Sequence, residues 1–266
     1  MQLFVSDLDK TLLHSDLSLG DYTKEIWNSF DRPLTIATAR SYTGAKNLLA
    51  GLQLRYPMIL LDGAMIADSE GNIILLNALD KETADAIIER VEKLFDERPL
   101  LVGYDDGVER FCYPKRLNVH QKELLQNYKN DKRILGIEKL RGLTHNLKIV
   151  YLGDEATLAE IEREITQNFD VESKLAKDPY QNCHFLTFLH PRGDKAHALE
   201  RLEEILDIPQ EAVTTFGDSH NDIGMFQRSG KAVAVANALD AVKKHADVVL
   251  EWSNDEDAVA RYLAAL

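Results

Sequence analysis

The chain has 266 residues, longer than most single compact domains, and its 44 acidic against 31 basic side chains give a formal net charge of −13 at pH 7. That balance argues against nucleic acid as a partner, because gripping a phosphate backbone needs a concentrated basic surface. Cys112 and Cys183 form no C-x-x-C pair, and the N-terminus enters an apolar strand with no leader-like segment or membrane-length apolar span, so structural zinc, a disulfide framework and a membrane anchor are not indicated and a cytoplasmic protein is expected.

The first predicted element is a buried parallel strand over 2–7, with Asp7 and Asp9 at its carboxyl end in Ser6-Asp7-Leu8-Asp9-Lys10-Thr11. In open α/β sheets ligands bind at that edge. Two carboxylates so close either repel or share a cation, and a hard ion such as Mg2+ takes few carboxylates together with phosphate oxygens. A helix N-cap or a solvated turn is the bland alternative. A helix near 22–30 leads to a strand over 34–38 that ends at Thr38, before a helix over 41–52. A hydroxyl beside helix N-terminal amides suits a phosphate oxygen, and it serves equally as a plain N-cap. A strand at 58–61 and a hairpin over 64–76 around Glu70-Gly71 follow.

From Asp80 a helix carries Ile87, Ile88, Val91, Leu94 and Phe95 on one face, and strands over 100–104 and 108–113 flank the hairpin signal Asp105-Asp106-Gly107. A helix over 118–129, a strand over 147–152, a helix over 155–168 and a strand over 184–189 complete a stretch that reads as α+β with a mostly antiparallel sheet. Strand and helix then alternate again. Lys195 opens a helix with Leu199, Leu202, Ile205 and Leu206 on one face. A cation in a first turn opposes the helix dipole; a nearby anion would resolve the conflict, and a solvated lysine is the alternative. In Thr214-Thr215-Phe216-Gly217-Asp218-Ser219-His220-Asn221-Asp222, Gly217 is read as freeing the backbone, and Asp218 and Asp222 are spaced for one helical face or a tight loop. A buried carboxylate pair is costly without a cation, so a metal is the economical explanation.

These four ordered segments resemble the signature motifs of the haloacid-dehalogenase-like phosphohydrolase superfamily, and their spacing is similar to its Cof-like, type IIB branch, whose large cap lies between the second and third motifs. Leu61-Asp62-Gly63-Ala64 stands where that family usually has Asn-Gly-Ala, and Ala232 to Ala238, followed by Val242-Lys243 and Ala246-Asp247, resembles its closing segment. Lys10, Ala39 and Ala196 each replace a usual glycine, and Ala258 interrupts a usual Asp-Gly. None of the four removes a side chain that the chemistry uses.

The resemblance implies an α/β fold: a Rossmann-like parallel-sheet core from 1–79 and 189–266, with an inserted α+β cap domain over 80–188. It implies Asp7 as nucleophile forming an aspartyl phosphate, and Asp9 as general acid and base. Mg2+ would be held by the Asp7 carboxylate, the Asp9 backbone carbonyl and the Asp218 carboxylate. Thr38, Lys195 and Asn221 would bind phosphoryl oxygens, and Asp222 would orient Lys195 or a metal-bound water. The activity implied is a Mg2+-dependent phosphatase acting on a small phosphorylated metabolite, a sugar phosphate or similar phosphomonoester. A phosphomutase or phosphotransferase is the alternative; a non-enzymatic phosphate-binding switch fits less well, since it needs neither Asp9 nor a cap. Arg40 is either a substrate contact or a structural ion-pair partner, and the cap charges Arg110, Lys115, Arg116 and Lys148 include candidates for specificity. The expected partner is the small-molecule substrate alone, with a monomer or small homo-oligomer in solution.

Overall fold

A computed structural model describes residues 2–126, 128, 131–177 and 182–266. The chain divides into two compact units, Met1–Leu76 with Asp194–Leu266, and Asn77–Gly193. No helix among the described residues is long and apolar enough to cross a membrane.

The first unit is built on five parallel strands in the spatial order Val248–Val249, Lys231–Ala234, Val213–Gly217, Leu3–Ser6 and Leu34–Ile36. Strand Leu3–Ser6 is buried at every position, as a central strand covered on both faces must be. Leu3 and Val5 pack with Ile59, Leu199, Leu202 and Val213 in one apolar cluster. The register pairs Ser6 with Phe216 on one side and with Ile36 on the other. Asp7, Thr38 and Asp218 therefore leave the sheet at one edge, where the chain diverges to both sides of the first strand, which is the standard ligand position in open parallel sheets. A parallel bridge from Ala37 to Ile59 adjoins a small antiparallel sheet of Met58–Leu60, Met65–Ala67 and Ile73–Leu76.

The second unit carries a six-stranded sheet in the order Glu172–Lys177, His184–Leu189, His145–Gly153, Leu100–Asp105, Val108–Pro114 and Ile134–Ile137. Every pairing is antiparallel except the last. Helices Lys81–Phe95 and Glu155–Asn168 bury Ile87, Ile88, Val91, Leu158, Ile161 and Ile165 against it.

Several elements differ from expectation. The helix expected over 41–52 is α-helical only at Tyr42–Lys46; beyond it Leu48 bonds to Ala45, Ala50 to Asn47 and Leu52 to Leu49, a series of tighter i to i+3 turns. Strands Ile134–Ile137 and Glu172–Lys177 were not anticipated. Leu94 and Ile205, expected on apolar faces, are exposed. The helix expected over 118–129 is seen as Val119–Gln126, and residues 127 and 129 lie outside the described residues.

Candidate active site

Asp7 follows the central strand, and its backbone N–H donates to the Phe216 carbonyl at 2.9 Å, so the neighbouring strand fixes where the chain leaves the sheet. Lys195 is the first residue of helix Lys195–Leu206, whose N-cap Asp194 accepts from the His197 amide. The lysine is fully buried, and its Nζ donates to Asp7 Oδ1 at 2.5 Å and to Asp222 Oδ1 at 2.7 Å. The conflict between a cation and the helix dipole is thus resolved by two carboxylates. Asp222 also accepts at Oδ2 from the backbone N–H groups of Asp218 and Ser219, both at 3.0 Å, as half of a capping box with Ser219.

Gly217 owes its identity to this packing. A Cβ there would meet the Asp222 side chain at 2.6 Å, and the residue is not among those with positive φ, so close approach and not backbone freedom is the requirement. Lys10, in contrast, stands at φ 59, a left-handed conformation that glycine adopts without strain, while its carbonyl accepts from Asn237 Nδ2.

Oxygens of Asp7, Asp218 and Asp222 approach within 4.8 Å of one another, and all three residues are buried. Asp218 accepts from the Thr11 hydroxyl at 3.1 Å. Burial raises the Asp218 carboxyl to about 6, with Asp222 adding to the effect and Thr11 and Lys195 opposing it. Burial likewise holds the Asp7 carboxyl well above the usual carboxylate range against the pull of Lys195. For Lys195, burial disfavours the ammonium, but Asp222 and Asp7 outweigh it and the pKa is raised. With three carboxylates around one ammonium, full ionisation leaves two uncompensated negative charges. That charge, the all-oxygen donor set and the elevated carboxyl pKa values fit a hard divalent cation. Both oxygens of Asp222 are already engaged, so Asp7 and Asp218 are the carboxylates suited to hold it.

Asp9 is placed differently. Its carboxylate lies outside the three-acid group and forms a bidentate pair with Arg40, whose Nε donates to Oδ2 at 2.8 Å and whose second terminal nitrogen donates to Oδ1 at 2.6 Å. Arg40 is therefore an ion-pair partner in this structure. Thr38 is buried; its hydroxyl oxygen accepts from the Arg40 amide at 3.2 Å and its carbonyl from the Asp62 amide at 3.0 Å. Asn221 donates from Nδ2 to Asp62 Oδ1 at 2.9 Å and accepts from the Ser219 hydroxyl at 2.6 Å. Asp62 and Thr11 are site neighbours to which sequence reasoning gave no role. Their only signals were the change from Asn-Gly-Ala to Asp-Gly-Ala and the last position of D-x-D-x-T.

The sequence model of the haloacid dehalogenase-like hydrolase family matches residues 4–263. The chain belongs to this family. It is 26% identical over 291 residues to a 5-amino-6-(5-phospho-D-ribitylamino)uracil phosphatase of Bacillus subtilis, an alignment covering 100% of this chain and 98% of that protein. A haloacid dehalogenase-like hydrolase from Bacteroides thetaiotaomicron superposes with a TM-score of 0.78 at 25% identity, over 99% of this chain and 98% of the other. The structure of a subclass IIB sugar phosphatase superposes with a TM-score of 0.77 over 100% of this chain and 98% of the other; at 19% identity the likeness is one of fold alone. Membership in this hydrolase family accounts for an acid-rich cluster at a parallel-sheet edge.

Proposed function

We propose that the protein is a phosphatase that releases inorganic phosphate from a small phosphorylated metabolite, a sugar phosphate or similar phosphomonoester, through an aspartyl phosphate on Asp7. The observation that carries this reading is the buried Asp7–Lys195–Asp222 chain beside Asp218 at the sheet edge. A nucleophilic carboxylate needs a neighbour that holds it in place and a positive field for the phosphoryl group that approaches it. Lys195 supplies both: two of its three N–H bonds are directed at carboxylates, which leaves one for a phosphoryl oxygen.

The Asp7 and Asp218 carboxylates and the Asp9 backbone carbonyl would hold Mg2+. That ion would neutralise phosphoryl charge at the nucleophile. Attack by Asp7 Oδ on phosphorus forms the acyl phosphate as the P–O bond to the leaving group breaks. Asp9 donates a proton to the departing alkoxide and later takes one from the attacking water. Before it can donate, Asp9 must be protonated and leave its bidentate pair with Arg40, so the observed pair is a resting arrangement. Thr38 and Asn221 contribute further donors to the phosphoryl oxygens. Asp222 acts through Lys195 and the Asp218 backbone, which it positions.

The phosphatase relatives named above support the reaction class. The deciding experiment is phosphate release from a broad panel of phosphorylated metabolites with Mg2+ present. Net release supports the hydrolase. Isomerisation of a sugar monophosphate without net release would make the protein a phosphomutase.

A further inference from the structure

A cavity of about 280 Å³ lies wholly within the unit Asn77–Gly193, walled by the first turn of helix Lys81–Phe95, the hairpin of Leu100–Asp105 with Val108–Pro114, and the edge strand Ile134–Ile137. Its charged lining is Lys81, Arg110 and Arg141 against the single carboxylate of Asp105. Most of these charges are engaged. Lys81 donates to the Gly142 carbonyl at 2.7 Å and pairs with Asp85, Arg141 pairs with Glu89, and Asp105 accepts from the backbone and hydroxyl of Thr144.

Arg110 is the exception. It is partly buried, and its side chain makes no hydrogen bond or ion pair among the described residues. In the same unit Arg90, Arg98, Arg116, Arg133 and Arg141 each pair with a carboxylate. In a chain with 44 acidic residues against 31 basic ones, a half-buried guanidinium that lines a cavity and has no carboxylate partner is a place for an anion from outside.

The rest of the lining is apolar. Cys112, Leu135, Ile137 and Leu143 offer no second charge, and burial pushes the Cys112 thiol upward despite Arg110, so it packs as a neutral wall. One carboxylate and no histidine give no metal site. The volume lies just below the range usual for drug-sized ligands, which suits a small one. We infer that this cavity binds a small organic anion, with its carboxylate or phosphate group on Arg110 and its apolar body against Cys112, Leu135 and Ile137. The anion is either a second acidic group of the phosphorylated substrate or a separate metabolite, and the recognising chemistry is the same.

The probe is phenylphosphonate, whose C–P bond the proposed hydrolysis does not cleave, titrated into the full chain while arginine Nε–Hε and isoleucine methyl NMR resonances are followed. The expected result is a saturable shift of the Arg110 and Ile137 signals, with the Ile137 titration at least about tenfold weaker in Arg110→Gln, the loss for one charge-assisted contact. Turnover of p-nitrophenyl phosphate by that variant stays unchanged. Signals that do not move up to about 10 mM probe, or an Ile137 titration equally tight in Arg110→Gln, overturn the inference. Once binding is seen, a KM that rises in Arg110→Gln only for phosphomonoesters with a second acidic group assigns the anion to the substrate. A KM unchanged across the panel assigns it to a separate metabolite.

Discussion

Lys195 is fully buried between Asp7 and Asp222, so each of these two carboxylates is held in place by a charge that cannot be left alone. Asp7→Asn keeps the shape of the side chain and removes the nucleophile; kcat should fall by about 10⁴-fold or more while the folded far-UV spectrum is retained. Multiple turnover by that variant near the wild-type rate would end the covalent mechanism. Asp222→Ala removes a partner of the buried ammonium and strands two backbone N–H groups, so unfolding in urea should show a loss of about 3 kcal/mol. The pH dependence follows from Asp218. Its carboxyl titrates at about 6 in the folded chain against 3.8 as the ordinary value, so the metal-free protein holds this proton more tightly folded than unfolded. The stability that this contributes is full below the ordinary value and is lost as pH rises through the folded one. Asp7, also raised, acts in the same direction. Mg2+ needs the ionised carboxylates, so its affinity should fall by about tenfold or more per pH unit below the folded pKa of Asp218. Calorimetric titrations that give one affinity across that pH range would remove Asp218 from the metal site.

The turn Leu61–Gly63 and the start of helix Lys195–Leu206 are in direct backbone contact: Gly63 sits at φ 112, and a Cβ there would lie 2.0 Å from the Asp194 carbonyl oxygen. Gly63→Ala should therefore displace the helix end that carries Lys195, with a loss of about 2 kcal/mol or more in urea unfolding and a larger proportional loss of kcat. Gly107→Ala is the control, since φ there is 77 but nothing lies within 4 Å of the added carbon, and its cost should stay near about 1 kcal/mol with activity intact. Equal effects of the two substitutions would show that contact with Asp194 is unimportant. Elements of this kind divide into those the sequence announces and those it conceals. Strands Leu3–Ser6 and Val213–Gly217 are announced by apolar runs that stop at acids, and the helix at Lys195 by its periodic leucines. Glu172–Lys177 is concealed because an edge strand with one neighbour carries Glu172, Lys174 and Lys177, a polar pattern that guards the edge and reads as loop. Ile134–Ile137 is concealed by its length and its Gly136. At the site, side chains of the expected types are legible one motif at a time, whereas the Asp62–Asn221 and Arg40–Asp9 contacts join positions 159 and 31 apart, and no local pattern encodes them.

On the scale of the whole chain, the residues assigned to phosphoryl binding, metal binding and proton transfer all belong to Met1–Leu76 and Asp194–Leu266. On the proposed mechanism each of them has a task at the phosphorus or the bridging oxygen, so none is left to read the organic group. We propose that discrimination among leaving groups falls to Asn77–Gly193, a unit with its own sheet, its own apolar core and its own cavity. The first unit has an independent core around Leu3, Val5, Leu199 and Leu202, and its two segments meet in adjacent strands of one sheet, so it does not depend on the insert for its hydrogen-bonded framework. Replacing residues 77–193 with a short flexible linker should give a soluble chain that hydrolyses p-nitrophenyl phosphate slowly, because an activated leaving group needs no proton from Asp9. The same chain should lose the ranking of metabolites seen with the intact protein, with kcat/KM values drawn together to within about tenfold. A folded, insert-free chain that keeps the full ranking would place specificity in the first unit and remove the insert from substrate selection.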